Sequence, residues 1–225
     1  MAQAMEDYYH TAYLTGCNSI GERVRAYKDL QDDSAELEML FTVDILNEGL
    51  DAPTIKRVLK ASVLNPYWEK FERGEVTEEE TLQAFIAADP EIEKALRTAF
   101  TNLSGMLVIR DYAIPLVQQL KEAGLGVYYL SNYSRKAYDE CGESLAFMPY
   151  MDGGIVSFKV GMTKPDSQMY KCFLDRYGLE VESCVFIDDT EENVTAAKEL
   201  GFSGIVFTTY EEVAEELKKT VGCMG

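Results

Sequence analysis

Three short stretches of the chain hold residue types that could do chemistry together. VFIDDTEEN (185–193) sets two adjacent carboxylates, Asp188 and Asp189, at the end of an apolar run. VYYLSN (127–132) closes another apolar run on Ser131 and Asn132, and GMTKPDSQMY (161–170) puts Lys164 directly before a proline. Two like charges side by side repel each other. A divalent cation with a taste for oxygen ligands relieves the repulsion, and so does a helix start whose first turn a carboxylate caps. Each of the other positions has an equally local reading. Ser131 and Asn132 could cap the helix after their strand, and Lys164-Pro165 could be an entry loop, with Asp166 and Ser167 opening the next helix.

The elements that must position these residues are legible from residue 105 onward. Helical spacing over 111–124 ends on Gly124, a C-cap residue. Strand-length apolar runs follow at 125–132, 153–158, 182–189 and 203–208. Helical patterns separate and close them at 135–147, 166–178, 190–201 and 210–220. Strands alternating with helices of this length predict right-handed crossovers and a parallel sheet covered on both faces. The expected class is therefore α/β with a Rossmann-like parallel sheet, in which ligands bind at the carboxyl ends of strands. Ser131, Asn132, Asp188 and Asp189 all fall at those ends. Residues 54–104 have no β-rich run; TIKRVLKASVL, YWEKFERG, TEEETLQAFIAA and PEIEKALRTAF predict an inserted helical subdomain above the sheet, and Thr77 with Glu80 predicts a capping box.

Composition narrows the chemistry. The 225 residues are 47% apolar and 27% charged, enough for a sizeable core. A net charge of −18 argues against a nucleic-acid partner, which needs a basic face. No apolar run approaches the roughly 20 residues of a membrane span, and the N-terminus lacks a signal-peptide pattern, so a cytoplasmic protein without a membrane partner is expected. The five cysteines are dispersed with no C-x-x-C pair, which disfavours structural zinc. His10 is the only histidine, which nearly excludes Ser-His and Cys-His catalysis. An enzyme built on this chain works with carboxylates, lysine and a metal.

Taken together, these stretches resemble the haloacid dehalogenase superfamily of phosphohydrolases, in the branch with a small helical cap. The likeness runs over residues 54 to 220: Ser131-Asn132 match the second motif, Lys164 the third, and Asp188, Asp189 and Asn193 the fourth, while NPYWEKFERGEVTEEETLQAF (65–85) is similar to that branch's cap. The resemblance implies that Ser131 donates hydrogen bonds to a phosphoryl oxygen and that Asn132 shapes the loop beside it. It implies that Lys164 neutralises phosphoryl charge and holds the nucleophile's carboxylate, and that Asp188 and Asp189 bind Mg²⁺. The implied substrate is a small phosphorylated metabolite.

One part of the pattern is missing. The family's first motif, an apolar strand ending Asp-x-Asp or Asp-x-Gly and carrying the nucleophile, does not precede residue 54. In LEMLFTVDILNEG (37–49), the nearest candidate, Thr42 takes the nucleophile's place and Asp44 that of the acid/base residue. A hydroxyl without a base partner is a poor nucleophile. Residues 19–53 resemble instead a fragment of the C-terminal domain of superfamily 2 helicases, although no G-x-x-x-x-G-K-[ST] loop exists to bind NTP. The expected organisation is a helicase-like segment 1–53 supplying one core strand, a helical cap 54–104, and an α/β core 105–225. Residues 38–43 are expected in the centre of the sheet, between the strands ending at Ser131 and Asp188, with Asp44 emerging at the site. The expected function is Mg²⁺-dependent phosphate monoester hydrolysis, impaired or abolished by the missing motif. The alternatives are a working phosphatase using Asp44 or another carboxylate, and an inactive Mg²⁺- or phosphate-binding module that docks a partner.

Overall fold

The computed structural model describes residues 11–14, 39–42, 52–104 and 109–221. The chain divides into two compact units, one formed by 1–71, 76–108 and 139–141, the other by 72–75, 109–138 and 142–225.

In the first unit, strands β1 (Thr11–Leu14) and β2 (Met39–Thr42) pair in parallel, with Thr11 opposite Met39 and Leu14 opposite Thr42. The partner of β2 in the described ladders is β1. The strand expected within 38–43 is present over Met39–Thr42, and the described ladders pair it with β1 rather than with the strands ending at Ser131 or Asp188. Strand propensity marked this run correctly, but propensity does not choose a partner. Helices α1 (Ala52–Ala61), α2 (Pro66–Glu72), α3 (Glu78–Ala88) and α4 (Glu93–Thr101) follow. Their apolar faces meet around Phe71, Phe85, Leu96 and Phe100, all nearly inaccessible. The rings pack edge to face and stacked, with Trp68 6.2 Å from Phe85. The expected capping box at Thr77 and Glu80 is formed in both directions. Arg57 reaches Asp89 at 2.7 Å and Glu91 at 2.9 Å, tying α1 to the turn before α4.

The second unit alternates helix and strand as the sequence predicts. Its elements are α5 (Ala113–Glu122), β3 (Tyr128–Ser131), α6 (Arg135–Glu140), β4 (Gly153–Val156), α7 (Ser167–Tyr177), β5 (Val185–Asp188), α8 (Glu191–Glu199), β6 (Ser203–Val206) and α9 (Tyr210–Val221). The single helix expected over 135–147 is instead short α6 followed by 3₁₀ turns at Gly142–Leu145 and Met148–Tyr150. Gly142 and Pro149 explain the break, since one weakens a helix and the other cannot continue it. Strands β3 and β4 pair in parallel with Ser131 opposite Val156, and β5 pairs in parallel with β6. Helix α7 lays Met169 and Phe173 against Ile155 on β4, while Tyr170 joins Phe186, Val194, Ala197 and Phe202.

Two local devices fix the strand ends. A Cβ on Gly154 would fall 2.2 Å from the Tyr129 carbonyl oxygen, so this close approach requires glycine. The Tyr177 hydroxyl meets the same residue, accepting from the Gly154 N–H at 2.6 Å and donating to its carbonyl at 3.0 Å. Past the end of β4, the fully buried Ser157 hydroxyl accepts from the Tyr133 N–H at 2.9 Å and reaches the Glu72 and Tyr133 carbonyls at 2.6 and 3.0 Å. It locks the segment after β3 to the segment after β4. Ser157→Ala leaves a buried N–H without its acceptor, which costs about 1–3 kcal/mol. Urea unfolding should show that loss, and an unchanged midpoint would mean that water or a backbone shift replaces the hydroxyl.

Candidate active site

Residues from the ends of β3 and β5 and from the loop before α7 converge within the second unit. Asn132 follows directly on Ser131, the last residue of β3. Its side-chain amide clamps the backbone of Lys164: Nδ2 donates to the Lys164 carbonyl at 3.0 Å, and Oδ1 accepts from the Lys164 N–H at 2.8 Å. Both contacts are needed to fix a loop residue in position and orientation. The Lys164 side chain then reaches Asp188 at the end of β5 and forms an ion pair with its Oδ2. Both side chains are nearly buried, at 9% and 6% exposed. The ammonium also lies 5.6 Å from the Phe186 ring centroid, two residues back on β5.

The other Asp188 oxygen is engaged as well. Oδ1 accepts from the Thr190 N–H and from the Asn193 side-chain amide, each at 2.9 Å. Thr190 occupies the N-cap of α8 without a side-chain cap bond, so part of the capping task falls to Asp188. Asn193 is held in turn, because the buried Tyr170 hydroxyl donates to its carbonyl at 2.8 Å. Burial pushes the Tyr170 phenol above its ordinary range, and the nearby Asp188 charge adds to the effect.

Asp189 differs from its neighbour. Its Oδ2 is buried without a hydrogen-bond partner. Burial, then the adjacent Asp188 charge, holds its carboxyl above the usual carboxylate range, against the pull of its own backbone N–H and of Lys164. The two acids are thus unequal: Asp188 has its oxygens taken by protein donors, and Asp189 keeps one orphaned acceptor. An orphaned buried acceptor beside a second carboxylate suits a hard cation, since the donors are oxygen only. Among the described residues no group of three or more His, Cys, Asp or Glu converges. A cation here would complete its shell with water and ligand oxygens, as Mg²⁺ does.

Of the residues singled out in the sequence, Asn132, Lys164, Asp188 and Asp189 come together, with Ser131 adjoining through the chain. Asp44 lies outside the described residues. Asp166 accepts from the Gln168 N–H at 2.9 Å and opens α7, so the local reading of that residue holds. Tyr170, Phe186 and Ser157 were not singled out. A tyrosine among the otherwise apolar residues on the inner face of α7 was the available signal for the first; the other two read as ordinary core positions.

A family profile described as haloacid dehalogenase-like hydrolase matches residues 18–201. The match begins upstream of residue 54, where the cap-and-core likeness starts. Among curated proteins, a sesquiterpene phosphatase from Aspergillus oryzae is 28% identical over 79% of this chain and 90% of its own length. A flavin mononucleotide hydrolase from Arabidopsis thaliana is 28% identical over 67% of this chain, which spans 60% of that relative. Among solved structures, a haloacid dehalogenase family enzyme from Bacteroides thetaiotaomicron superposes with a TM-score of 0.55 at 21% identity, covering 92% of this chain and 96% of its own. The same enzyme in complex with magnesium and inorganic phosphate gives a TM-score of 0.53 at 18% identity, covering 91% and 98%. At these identities the structures speak for the fold, an α/β Rossmann-type core, while the profile spans most of the sequence. The chain belongs to the haloacid dehalogenase-like hydrolases.

Proposed function

We propose that the second unit binds the phosphoryl group of a small phosphate monoester together with Mg²⁺, and that its hydrolytic step is impaired. The observation that carries this reading is the pairing of a buried lysine, Lys164, with Asp188 beside the orphaned oxygen of Asp189. Supporting it are a relative named as a phosphatase, a relative named as a flavin mononucleotide hydrolase, and a structural neighbour crystallised with magnesium and phosphate.

The chain's own residues divide the work. Asp189 would hold Mg²⁺ through its free oxygen, with the Asp188 charge beside it. When bound, the ion supplies positive charge that offsets a phosphoryl group's negative charge in an otherwise acidic protein. Ser131, at the end of β3, donates a hydrogen bond to a phosphoryl oxygen. Lys164 contributes a positive charge that does not depend on a metal, held in place through its backbone by Asn132 and through its side chain by Asp188. This is positioning combined with electrostatic stabilisation, which carries most of phosphoryl-transfer catalysis. The impairment follows from the missing Asp-x-Asp motif: without a nucleophilic carboxylate, the covalent route that divides one hard step into two easier ones is closed. The helical unit of residues 54–104 is proposed as the cap that selects the organic part of the ester.

Calorimetric titration of the full chain should show inorganic phosphate binding that depends on Mg²⁺. Asp189→Asn should weaken the Mg²⁺ affinity by about tenfold or more. Unchanged binding in that variant would leave the pair a helix-capping device only. Turnover of 4-nitrophenyl phosphate should lie several orders of magnitude below that expected with an intact nucleophile. Robust turnover abolished by Asp44→Asn, with a phosphorylated aspartate found by mass spectrometry, would overturn the impairment.

Asp189 also generates a prediction in the absence of metal. Its folded carboxyl binds a proton more tightly than the unfolded one. Between those two values the folded state carries the extra proton, so stability falls as pH rises through that window. With chelator present at pH 7, Asp189→Asn should therefore unfold at a higher urea concentration than the parent. The advantage should shrink as pH falls into the ordinary carboxylate range. A variant less stable than the parent at pH 7 would mean that the Asp189 charge is compensated without a cation.

A further inference from the structure

Five residues of the second unit form a cluster that the phosphoryl site does not use. Arg135 opens α6 four residues after Ser131, and its guanidinium carbon lies 4.7 Å from the Phe158 ring centroid. Lys159 follows β4, with its ammonium 4.5 Å from the Tyr138 centroid and 5.6 Å from that of Phe158. The Tyr138 and Phe158 rings are tilted against each other at 5.5 Å, and Tyr133 meets Tyr138 edge on at 6.4 Å. The hydrogen bond from the Tyr133 N–H to Ser157 holds the two contributing segments side by side, just beyond the paired strand ends Ser131 and Val156.

Two features of this cluster bear on what it could bind. The chain has 39 Asp and Glu against 21 Lys and Arg, so a cation ordinarily meets a carboxylate. Among the described residues Arg135 and Lys159 meet aromatic rings and form no ion pair. Contact with a ring face steadies a cation without neutralising it, so its N–H donors stay available to an anion. Both residues are exposed, whereas Tyr133, Tyr138 and Phe158 are half-buried and form a fixed base. The second feature is location: the cluster occupies the carboxyl ends of β3 and β4, the rim on which ligands of such sheets bind.

We propose that Arg135 and Lys159 form a subsite for a second anionic group, carried on the organic part of the phosphate ester. The proposal rests on the phosphoryl-binding reading above and narrows its substrate class. A pure hydrocarbon leaving group offers these cations nothing, whereas one bearing a carboxylate or a further phosphate does. In a chain of net charge −18, an ester with extra negative charge needs local compensation of this kind.

The test compares phenyl phosphate with 4-carboxyphenyl phosphate, which differ by one carboxylate, using inorganic phosphate as reference, all titrated calorimetrically into the full chain with Mg²⁺. The carboxylated ester should bind about five- to tenfold tighter than phenyl phosphate. Arg135→Ala and Lys159→Ala should each reduce that preference, and the double variant should erase it without changing the affinity for inorganic phosphate. Equal affinities in the parent, a preference that survives the double variant, or a parallel loss of inorganic phosphate binding would overturn the subsite while leaving the phosphoryl site standing. Absence of inorganic phosphate binding in the parent would overturn the phosphoryl reading, and the subsite with it.

Discussion

The ion pair between Lys164 and Asp188 is the constraint around which the second unit is arranged. Two charges taken out of water cost several kcal/mol each unless their geometry is good and their remaining donors and acceptors are met. The surrounding residues supply those conditions. Asn132 holds the Lys164 backbone from both its N–H and its carbonyl, Phe186 lies beneath the ammonium, and Thr190 and Asn193 take the second Asp188 oxygen. Tyr170 adds a further layer by holding Asn193. Strand ends from separate ladders and the N-terminus of α8 are thus committed to one pair of side chains. A hydrophobic pair of similar volume would often be as stable, which makes function the better reason for keeping charges there.

The same arrangement explains how two adjacent acids can differ. Asp188 is the last residue of β5 and its oxygens face three donors, one from the loop before α7 and two from the start of α8. Asp189, one residue on, has left the strand and meets no donor at Oδ2. A one-residue step at the end of a strand reverses the side on which a side chain lies. Two identical residues therefore enter different surroundings, one stabilising the local structure and the other kept in tension with it.

The alternation of helix and strand from residue 113 to 221 was legible because it rests on periodicity and on terminators such as Gly124 and Gly178. Strand-end polarity likewise pointed to Ser131, Asn132, Asp188 and Asp189. What could not be read was which distant groups meet. Asn132 contacts Lys164 across 32 positions, and Lys164 contacts Asp188 across 24. The inequality of the two acids depends on those contacts, so no local pattern contains it. The pairing of β2 with β1 was out of reach for the same reason, since an apolar tetrapeptide fits many edges. Ser157 was invisible because a buried serine betrays itself only through the backbone groups it meets. The break after Glu140 was within reach, as Gly142 and Pro149 stood in the sequence, but the apolar spacing of 135–147 outweighed them.

The phenol of Tyr177 has a consequence for how the molecule behaves among other molecules. In the described ladders β4 has β3 as its one partner, and an outer strand with unpaired amides is a template for association with another chain. By engaging both the N–H and the carbonyl of Gly154, the Tyr177 hydroxyl occupies the middle of that margin with a side chain instead of a strand. An incoming peptide would have to displace a well-placed aromatic residue before it could zip along β4. The ring thus stands where a further strand would add, and Gly153, where a Cβ would fall 2.7 Å from the Tyr177 hydroxyl, is what gives it room to fit.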